Sequence, residues 1–196
     1  MKLLIIRHGQ SEADLLNVYE GRTDFELTEL GHEQAKQMSK FVNNNYKISK
    51  IYSSPLKRAV QTANHLSEET GAEIILDNKL MEFDNGLIAG LKKEVADAKY
   101  PMVMNIPIYT SVYEQETLME FRLRADCFLS EIIKENSNND VVAVITHGGM
   151  INQLYASFLR LPVDNNISFV TGDTGMHCWY IDDKSRRIIA ANQKII

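Results

Sequence analysis

The sequence contains three short apolar segments with little polar alternation. They are LLII at 3–6, AEIIL at 72–76 and VVAVI at 141–145. Apolar runs of this length are typical of strands that are covered on both faces, as in a parallel sheet. We therefore expect these segments to form a central sheet with helices on both sides.

Helices are predicted around these strands by apolar residues that recur at helical spacing. The expected helices cover 28–42, 55–71, about 117–135, and a segment after Gly148 and Gly149. Thr28 is the expected N-cap of the first helix. Ser54 is the expected N-cap of the second, with Pro55 at its first position.

Near the C-terminus, MHCWYID and RRIIAAN flank DDKS, which predicts a hairpin and an antiparallel edge to the sheet. The alternation of strands and helices favours an α/β fold, a three-layer sandwich with a mostly parallel central sheet and helices on both faces. We expect a single domain over 1–196. The irregular segment 91–115 holds Pro101 and Pro107, and it is interpreted as a lid-like insertion.

Composition and charge narrow the classes of partner. Lys and Arg number 21 and Asp and Glu number 26, which gives a net charge of −5, and the cations are scattered along the chain. This pattern predicts no nucleic-acid or membrane-surface partner. The N-terminal MKLLIIRHG is too short for a signal peptide or a span, so a cytoplasmic location is expected. Cys127 and Cys178 show no metal-ligand spacing and are expected to be buried, reduced thiols.

Two histidines follow two of the predicted strands. His8 comes after LLIIR and His147 comes after VAVIT, each where strand gives way to turn. In open α/β sheets this carboxyl edge is where ligands bind. Gly9 and Gly148 would let the backbone approach a ligand, and the helix after Gly149 could offer free N–H groups to an anion. A lone histidine at a strand end is nevertheless more often structural than catalytic.

Two arginines favour the functional interpretation of these histidines. Arg7 precedes His8, and Arg58 lies in the first turns of the helix that follows the strand KIYSS. Guanidinium groups offer paired donors to phosphate oxygens, so the four side chains describe a phosphate clamp. Phosphoryl transfer also needs an acid, for which Glu82 in the loop LMEFDNGLIAG is the candidate. By position alone, a solvated glutamate is the commoner outcome there.

Five motifs in register carry a resemblance to a known family. They are IIRHGQSEAD, EGRTDFELTELG, SSPLKRAVQTA, LMEFDNGLIAG and VITHGGM. In this order and at these intervals they resemble the motif series of the histidine phosphatase superfamily, whose members are related to phosphoglycerate mutase. The resemblance extends from Leu3 to about His177.

The resemblance implies a metal-independent phosphomonoester hydrolase with no cofactor and a small phosphorylated substrate. In such enzymes the position of His8 attacks phosphorus and becomes a phosphohistidine. The positions of Arg7, Arg58 and His147 hold the phosphoryl oxygens. The position of Glu82 protonates the leaving alcohol and then activates water. These residue types suit the chemistry, because a neutral imidazole is nucleophilic and guanidinium groups stabilise the charge of the transferred group.

The residues expected to line the rest of the substrate pocket, here called the pocket wall, match the family motifs less closely than the four residues of the phosphate clamp do. At Asp14 many members carry Asn, so this carboxylate is expected either to brace Arg7 or Arg22 or to contact a substrate hydroxyl. The positions that match the substrate-binding wall are Gln10, Ser11, Asp14, Gly21, Arg22 and Gly148.

Three other functions remain open at this point. A mutase would return the phosphoryl group to its substrate, but mutases of this family carry a longer insertion than the 65 positions from Glu82 to His147. A non-catalytic phosphate-binding module would need a missing catalytic residue, and none is missing. Metal-assisted hydrolysis through His8, His147, Glu82 and Asp14 is chemically conceivable, but the two arginines would repel a cation.

The segment between Glu82 and the third long helix also bears on specificity. It is rich in Met, Ile and Tyr and carries only Lys99 as a cation between Asp97 and Tyr113. We therefore expect monophosphates with an apolar or aromatic group to be preferred over bisphosphates and phosphoglycerates.

Overall fold

A six-stranded sheet runs through the centre of the computed structural model, which describes residues 1–194. Its strands are β1 (Lys2–Arg7), β2 (Lys50–Ser53), β3 (Ile74–Leu76), β4 (Val141–Thr146), β5 (Met176–Ile181) and β6 (Arg186–Gln193). Their spatial order is β3-β2-β4-β1-β5-β6. The first four are mutually parallel, and β5 and β6 form an antiparallel hairpin beside β1. The expected mostly parallel sheet with an antiparallel edge is thus confirmed.

Helices cover both faces of this sheet. They are α1 (Glu12–Leu16), α2 (Glu29–Asn45), α3 (Lys57–Thr70), α4 (Lys93–Lys99), α5 (Leu118–Glu135) and α6 (Gly148–Phe158). Helices α2 and α3 pack together on one face, and α5 and α6 pack together on the other. The three-layer α/β sandwich is therefore confirmed. None of the helices in the described part of the chain combines the length and apolar character that a membrane crossing needs.

The side chains of β1 show why the strands read as unbroken apolar runs. Leu3 and Ile5 belong to the core beneath α5 and α6, whereas Leu4 and Ile6 belong to the core beneath α2 and α3. Successive side chains of a strand point to opposite faces, so a strand with helices on both sides must be apolar at every position. The four side chains are at most 1% exposed.

Some predicted details differ from the structure. Helix α3 begins at Lys57 with Leu56 as its N-cap, so Ser54 does not cap it. The reason is that Leu56 keeps an extended backbone (φ −66°, ψ 137°), which delays the first helical turn. Leu30, one of the apolar residues of the predicted helix 28–42, is 53% exposed, since it lies off the line of the buried side chains along α2. Cys178 is buried as expected, but Cys127 is only partly buried.

The segment 91–115 forms α4 and then continues without regular structure to α5. It is attached to two loops at the carboxyl edge of the sheet. The amide of Tyr19 donates to the carbonyl of Leu91 (2.9 Å), and the amide of Leu87 donates to the carbonyl of Tyr113 (2.8 Å). This segment therefore borders the edge at which His8 and His147 lie. The last two positions of the expected domain, 195 and 196, lie outside the described residues.

The turn after β1 is pressed against the start of α2. A Cβ atom added at Gly31 would collide with the carbonyl oxygen of Gln10, and one added at Gly9 would collide with the carbonyl oxygen of Gly31. Because both obstacles are backbone atoms, they cannot move without shifting the turn. The two glycines therefore fix the distance between the helix and the loop that follows His8.

We predict that Gly31→Ala lowers the free energy of unfolding by about 1–3 kcal/mol, the usual range for overpacking. Alanine in a helix would otherwise gain up to about 1 kcal/mol over glycine. Urea denaturation measures the change. Asn43→Ala, at an exposed position of α2, serves as the control for helix propensity. A gain in stability for Gly31→Ala would show that the close approach is not a constraint.

Candidate active site

His8 follows β1 directly, and its imidazole is 1% exposed. Its Nδ1 lies 2.7 Å from the carbonyl oxygen of Gly9. Because a carbonyl can only accept, Nδ1 must carry the proton, and the lone pair is left on Nε2. The Nε of Arg58 lies 3.3 Å from that Nε2. The ring is therefore held in the tautomer that presents a nucleophilic nitrogen beside a fixed cation.

His147 faces His8 from the N-cap of α6. The two ring centroids are 5.0 Å apart, and the ring planes are inclined by 59°. The Nε2 of His147 lies 2.8 Å from the Oγ of Ser54. Its Nδ1 is buried and has no hydrogen-bond partner among the described residues. This leaves a polar ring nitrogen for which a ligand would be the natural partner.

Burial and neighbouring cations keep both imidazoles neutral. Burial, with the charges of Arg58 and Arg7, lowers the pKa of His8 well below its ordinary value. The same burial, together with Arg58 and His8, lowers the pKa of His147 well below its ordinary value. A group whose pKa is lowered loses its proton at a lower pH, so His8 is unprotonated near pH 7, as nucleophilic attack requires.

The guanidinium of Arg58 is completely buried between loops. Its Nη1 donates to the carbonyl of Thr23 (2.9 Å), and its Nη2 donates to the carbonyl of Gly21 (2.8 Å). Gly21 has a φ of +51°, which suits glycine and turns its carbonyl toward the arginine. With its two outer nitrogens engaged, Arg58 directs Nε toward His8.

Arg7 is the last residue of β1, directly before His8, and is braced by backbone and carboxylates. Its Nη1 donates to the carbonyl of Thr171 (2.9 Å). Its Nη2 lies 3.5 Å from the Oδ1 of Asp173 and 3.8 Å from the Oδ1 of Asp14. Asp14 also accepts a hydrogen bond from the amide of Ser11 (2.9 Å). Of the alternatives considered for Asp14, the geometry corresponds to the one that braces Arg7.

Glu82 reaches the same site from the loop after β3. Its Oε2 accepts the amide of Gly149 at the start of α6 (2.8 Å), and its Oε1 accepts the amide of Phe83 (2.8 Å). A Cβ at position 149 would collide with this carboxylate, so only glycine allows the contact. The N-terminus of α6 favours a negative charge there. Glu82 is thus an ordered carboxylate at the edge of the site.

The remaining pocket-wall candidates have structural contacts. The Oε1 of Gln10 accepts from the Oγ1 of Thr28 (2.9 Å), which ties the loop to the N-cap of α2. The Nε of Arg22 donates to the carbonyl of Glu82 (3.3 Å), and its outer nitrogens lie 3.3 Å from the carboxylates of Asp84 and Glu116. Gly148 is the first residue of α6, where a Cβ would meet no other atom.

Two acidic side chains were not predicted from the sequence. The Oε1 of Glu20 lies 2.6 Å from the Oγ of Ser11 and 3.2 Å from the Nε of Arg58. Asp173, in the loop before β5, contacts Arg7 as described above. Burial raises the pKa of Asp173, although the charge of Arg7 opposes the change. The only sequence signal was their position next to the glycines of EGR and TGDTG.

Arg124 of α5 was also missed, because in the sequence it is one of several charged residues on the polar side of a helix. Its Nη2 donates to the carbonyl of Glu82 and its Nη1 to the carbonyl of Lys79, both at 2.8 Å, and the carbonyl of Met81 also accepts from Nη1. Glu116 binds the same guanidinium through both carboxylate oxygens (2.7 and 2.9 Å). The backbone that carries Glu82 is therefore held from behind by one side chain.

The other three histidines lie outside this cluster. The Nδ1 of His32 is 3.0 Å from the Nε2 of His65, and both rings are partly buried between α2 and α3. His177 is fully buried between Tyr155 and Thr171, and this burial lowers its pKa to about 4. Among residues 1–194 there is no group of three or more His, Cys, Asp or Glu side chains that could hold a metal ion.

Known proteins match this chain over nearly its whole length, including the residues of the site. The sequence profile of the histidine phosphatase superfamily (branch 1) matches residues 3–194. Phosphoserine phosphatase 1 of Hydrogenobacter thermophilus is 28% identical, with 98% of this chain and 92% of that protein covered. A 2,3-bisphosphoglycerate-dependent phosphoglycerate mutase of Sinorhizobium fredii is 31% identical, with 87% and 86% covered. The structure of a mycobacterial glucosyl-3-phosphoglycerate phosphatase superimposes with a TM-score of 0.83 at 25% identity, covering 97% of this chain and 98% of that one.

These matches define an α/β enzyme of the phosphatase class. The chain belongs to the histidine phosphatase superfamily, branch 1.

We predict that Arg58→Met raises the pKa of His8, because a nearby cation disfavours the imidazolium. The titration of the ring nitrogens by ¹⁵N NMR measures it. Lys57→Met is the matched control, since the exposed Lys57 instead binds Glu26 (2.9 Å). An unchanged or lower pKa of His8 in Arg58→Met would refute the assigned electrostatic coupling.

Proposed function

We propose that this enzyme hydrolyses phosphomonoesters through a phosphohistidine formed on Nε2 of His8. The observation that carries the proposal is the fixed tautomer of His8. Its Nδ1 proton is bound to the carbonyl of Gly9, while Nε2 lies 3.3 Å from the Nε of the buried Arg58. This arrangement joins a neutral nucleophile to a cation that can stabilise the transferred group.

In the first step, Nε2 of His8 attacks phosphorus and the bond from phosphorus to the ester oxygen breaks. Arg7, Arg58 and His147 donate to the phosphoryl oxygens, whose charge they stabilise in the transition state. Glu82 gives its proton to the leaving alcohol. In the second step, the Glu82 carboxylate takes a proton from water, which attacks the phosphohistidine and releases inorganic phosphate and free His8.

The mutase function is the second candidate, and one comparison favours it. The Sinorhizobium mutase is 31% identical and is covered over 86% of its length. This chain therefore matches a mutase over most of that protein's length. The short spacing between Glu82 and His147 is, for this reason, only weak evidence against a mutase function. Relatives named as phosphatases cover as much of this chain or more, which supports hydrolysis.

The proposed substrates are small monophosphates with an apolar or aromatic group. Support comes from the insertion beside the site, where Met102 is 86%, Met104 71% and Tyr109 70% exposed. Side chains of this kind are free to contact the part of a substrate beyond its phosphate. The relatives named for phosphoserine and glucosyl-3-phosphoglycerate act on other small phosphorylated metabolites, which a substrate panel should include.

We predict that the enzyme releases inorganic phosphate from a panel of monophosphates in the presence of EDTA, because the arginines supply the positive charge. Acid-labile label from the substrate should be found on His8. His8→Ala should lower turnover by about a thousandfold or more, whereas His32→Ala serves as the control.

Loss of activity in EDTA with rescue by a divalent ion, or label on another residue, would contradict the mechanism. Rapid interconversion of 3-phosphoglycerate and 2-phosphoglycerate with 2,3-bisphosphoglycerate, without phosphate release, would establish the mutase function instead.

We predict that Glu82→Gln lowers kcat/KM about a hundredfold or more for alkyl phosphates. The loss should be much smaller for p-nitrophenyl phosphate, because that leaving group departs without a proton. The exposed Glu73→Gln is the matched control. Equal losses on both substrates would mean that Glu82 has a structural role only.

A further inference from the structure

Glu20 lies where a transferred phosphoryl group would have to fit. Its Oε1 is 3.2 Å from the Nε of Arg58, and the same Nε is 3.3 Å from Nε2 of His8. An arginine Nε carries one hydrogen, so His8 and Glu20 share a single donor. The side chain of Glu20 is 19% exposed, so it is open on one side to a ligand.

A phosphoryl group on His8 would bring two anions together at this donor. An oxygen that accepts from the Nε of Arg58 while its phosphorus is bonded to His8 would share that single hydrogen with the Oε1 of Glu20, which brings the two oxygens close together. Two bare anionic oxygens in contact repel each other. A proton between them replaces this repulsion by a charge-assisted O–H···O hydrogen bond, which is one of the stronger kinds in proteins.

The surroundings of Glu20 favour this protonated form. One contact works against it, since the Oε1 of Glu20 accepts the Oγ–H of Ser11 at 2.6 Å. Burial raises the pKa of Glu20, and the nearby carboxylate of Asp14 acts in the same direction. The cations of Arg58 and Arg7 and the hydrogen bond from Ser11 oppose the increase without cancelling it. A phosphoryl anion placed beside this carboxylate would raise its affinity for a proton further.

We propose that Glu20 binds the phosphoryl group as a neutral carboxylic acid that donates its proton to a phosphoryl oxygen. Binding of the phosphate ester then takes up a proton from solution, which Glu20 and the phosphoryl oxygen share. The proton returns to solution when inorganic phosphate leaves. This inference rests on the proposed function, because it requires a phosphoryl group beside Nε2 of His8.

The sign of the pH dependence follows from this coupling. Glu20 binds the phosphoryl group in its protonated form. Affinity for the phosphoryl group is therefore lost as the pH rises through the pKa of Glu20. Above that pKa, each pH unit costs about tenfold in affinity relative to a variant in which no carboxylate titrates. Glu20→Gln is such a variant, because its amide donates an N–H to the same oxygen and needs no proton.

The experiment compares the wild type with Glu20→Gln, using inorganic phosphate as the ligand. Isothermal titration calorimetry in two buffers of different ionisation enthalpy gives the number of protons taken up on binding. We expect the wild type to take up about one more proton than Glu20→Gln above the pKa of Glu20. Ionisation of phosphate itself contributes equally to both proteins and cancels in the difference.

The kcat/KM profile provides an independent readout on the same proteins. Glu20→Gln should keep its activity to higher pH than the wild type, which a merely structural role of Glu20 would not produce. Glu26→Gln is the matched control, because the exposed Glu26 lies on the same loop and binds Lys57 (2.9 Å). It should retain the proton uptake and the pH profile of the wild type. Thermal unfolding verifies that each variant is folded, and Glu20→Ala should also lose the extra proton.

The outcomes separate this inference from the proposed function. Equal proton uptake by wild type and Glu20→Gln, in proteins that bind phosphate and turn over substrate, would overturn the role of Glu20 alone. A pH profile that Glu20→Gln leaves unchanged would do the same. Failure of the wild type both to bind phosphate and to release it from any monophosphate would overturn the proposed function and this inference together.

Discussion

The guanidinium of Arg58 is fully buried, and the loops at the carboxyl edge of the sheet are arranged around it. A buried charge without partners would cost several kcal/mol, so its donors must be matched by acceptors. The carbonyls of Thr23 and Gly21 and the carboxylate of Glu20 supply them. The same contacts aim Nε at His8. The contacts that satisfy the charge of Arg58 therefore hold the loop at 20–23 in place. They also place the cation beside the imidazole of His8.

The second loop of the site, which carries Glu82, is fixed by a different interaction. The backbone around Glu82 is bound by Arg124 from behind, and its carboxylate is bound by the amide of Gly149 in front. These contacts connect the loop to α5 and to the N-terminus of α6. The first loop depends on α3 and the second on α5 and α6, which lie on opposite faces of the sheet. The site is thus assembled where the two outer layers of the sandwich meet the same strand ends.

The sequence by itself determined the layers of the fold and the types of side chain that follow the ends of the strands. Continuous apolar runs require coverage on both faces, which already specifies a parallel sheet between helices. His8 and His147 directly follow strands β1 and β4, and these two strands are neighbours in the sheet. Periodicity and strand-end position are local properties of the chain. Both could therefore be predicted before any tertiary contact was known.

Only the tertiary structure decided which polar side chains of the loops and helices face the site. Arg22 and Gln10 were expected in the pocket wall, and the structure adds that they bind the backbone of Glu82 and the N-cap of α2. Glu20 and Arg124 carried no comparable signal, although Glu20 contacts Arg58 and Arg124 holds the loop of Glu82. The direction of a side chain in a loop depends on long-range partners that complete its hydrogen bonds. For Arg22, Glu20 and Arg124 the partner lies more than thirty positions away in sequence, and no local pattern encodes it.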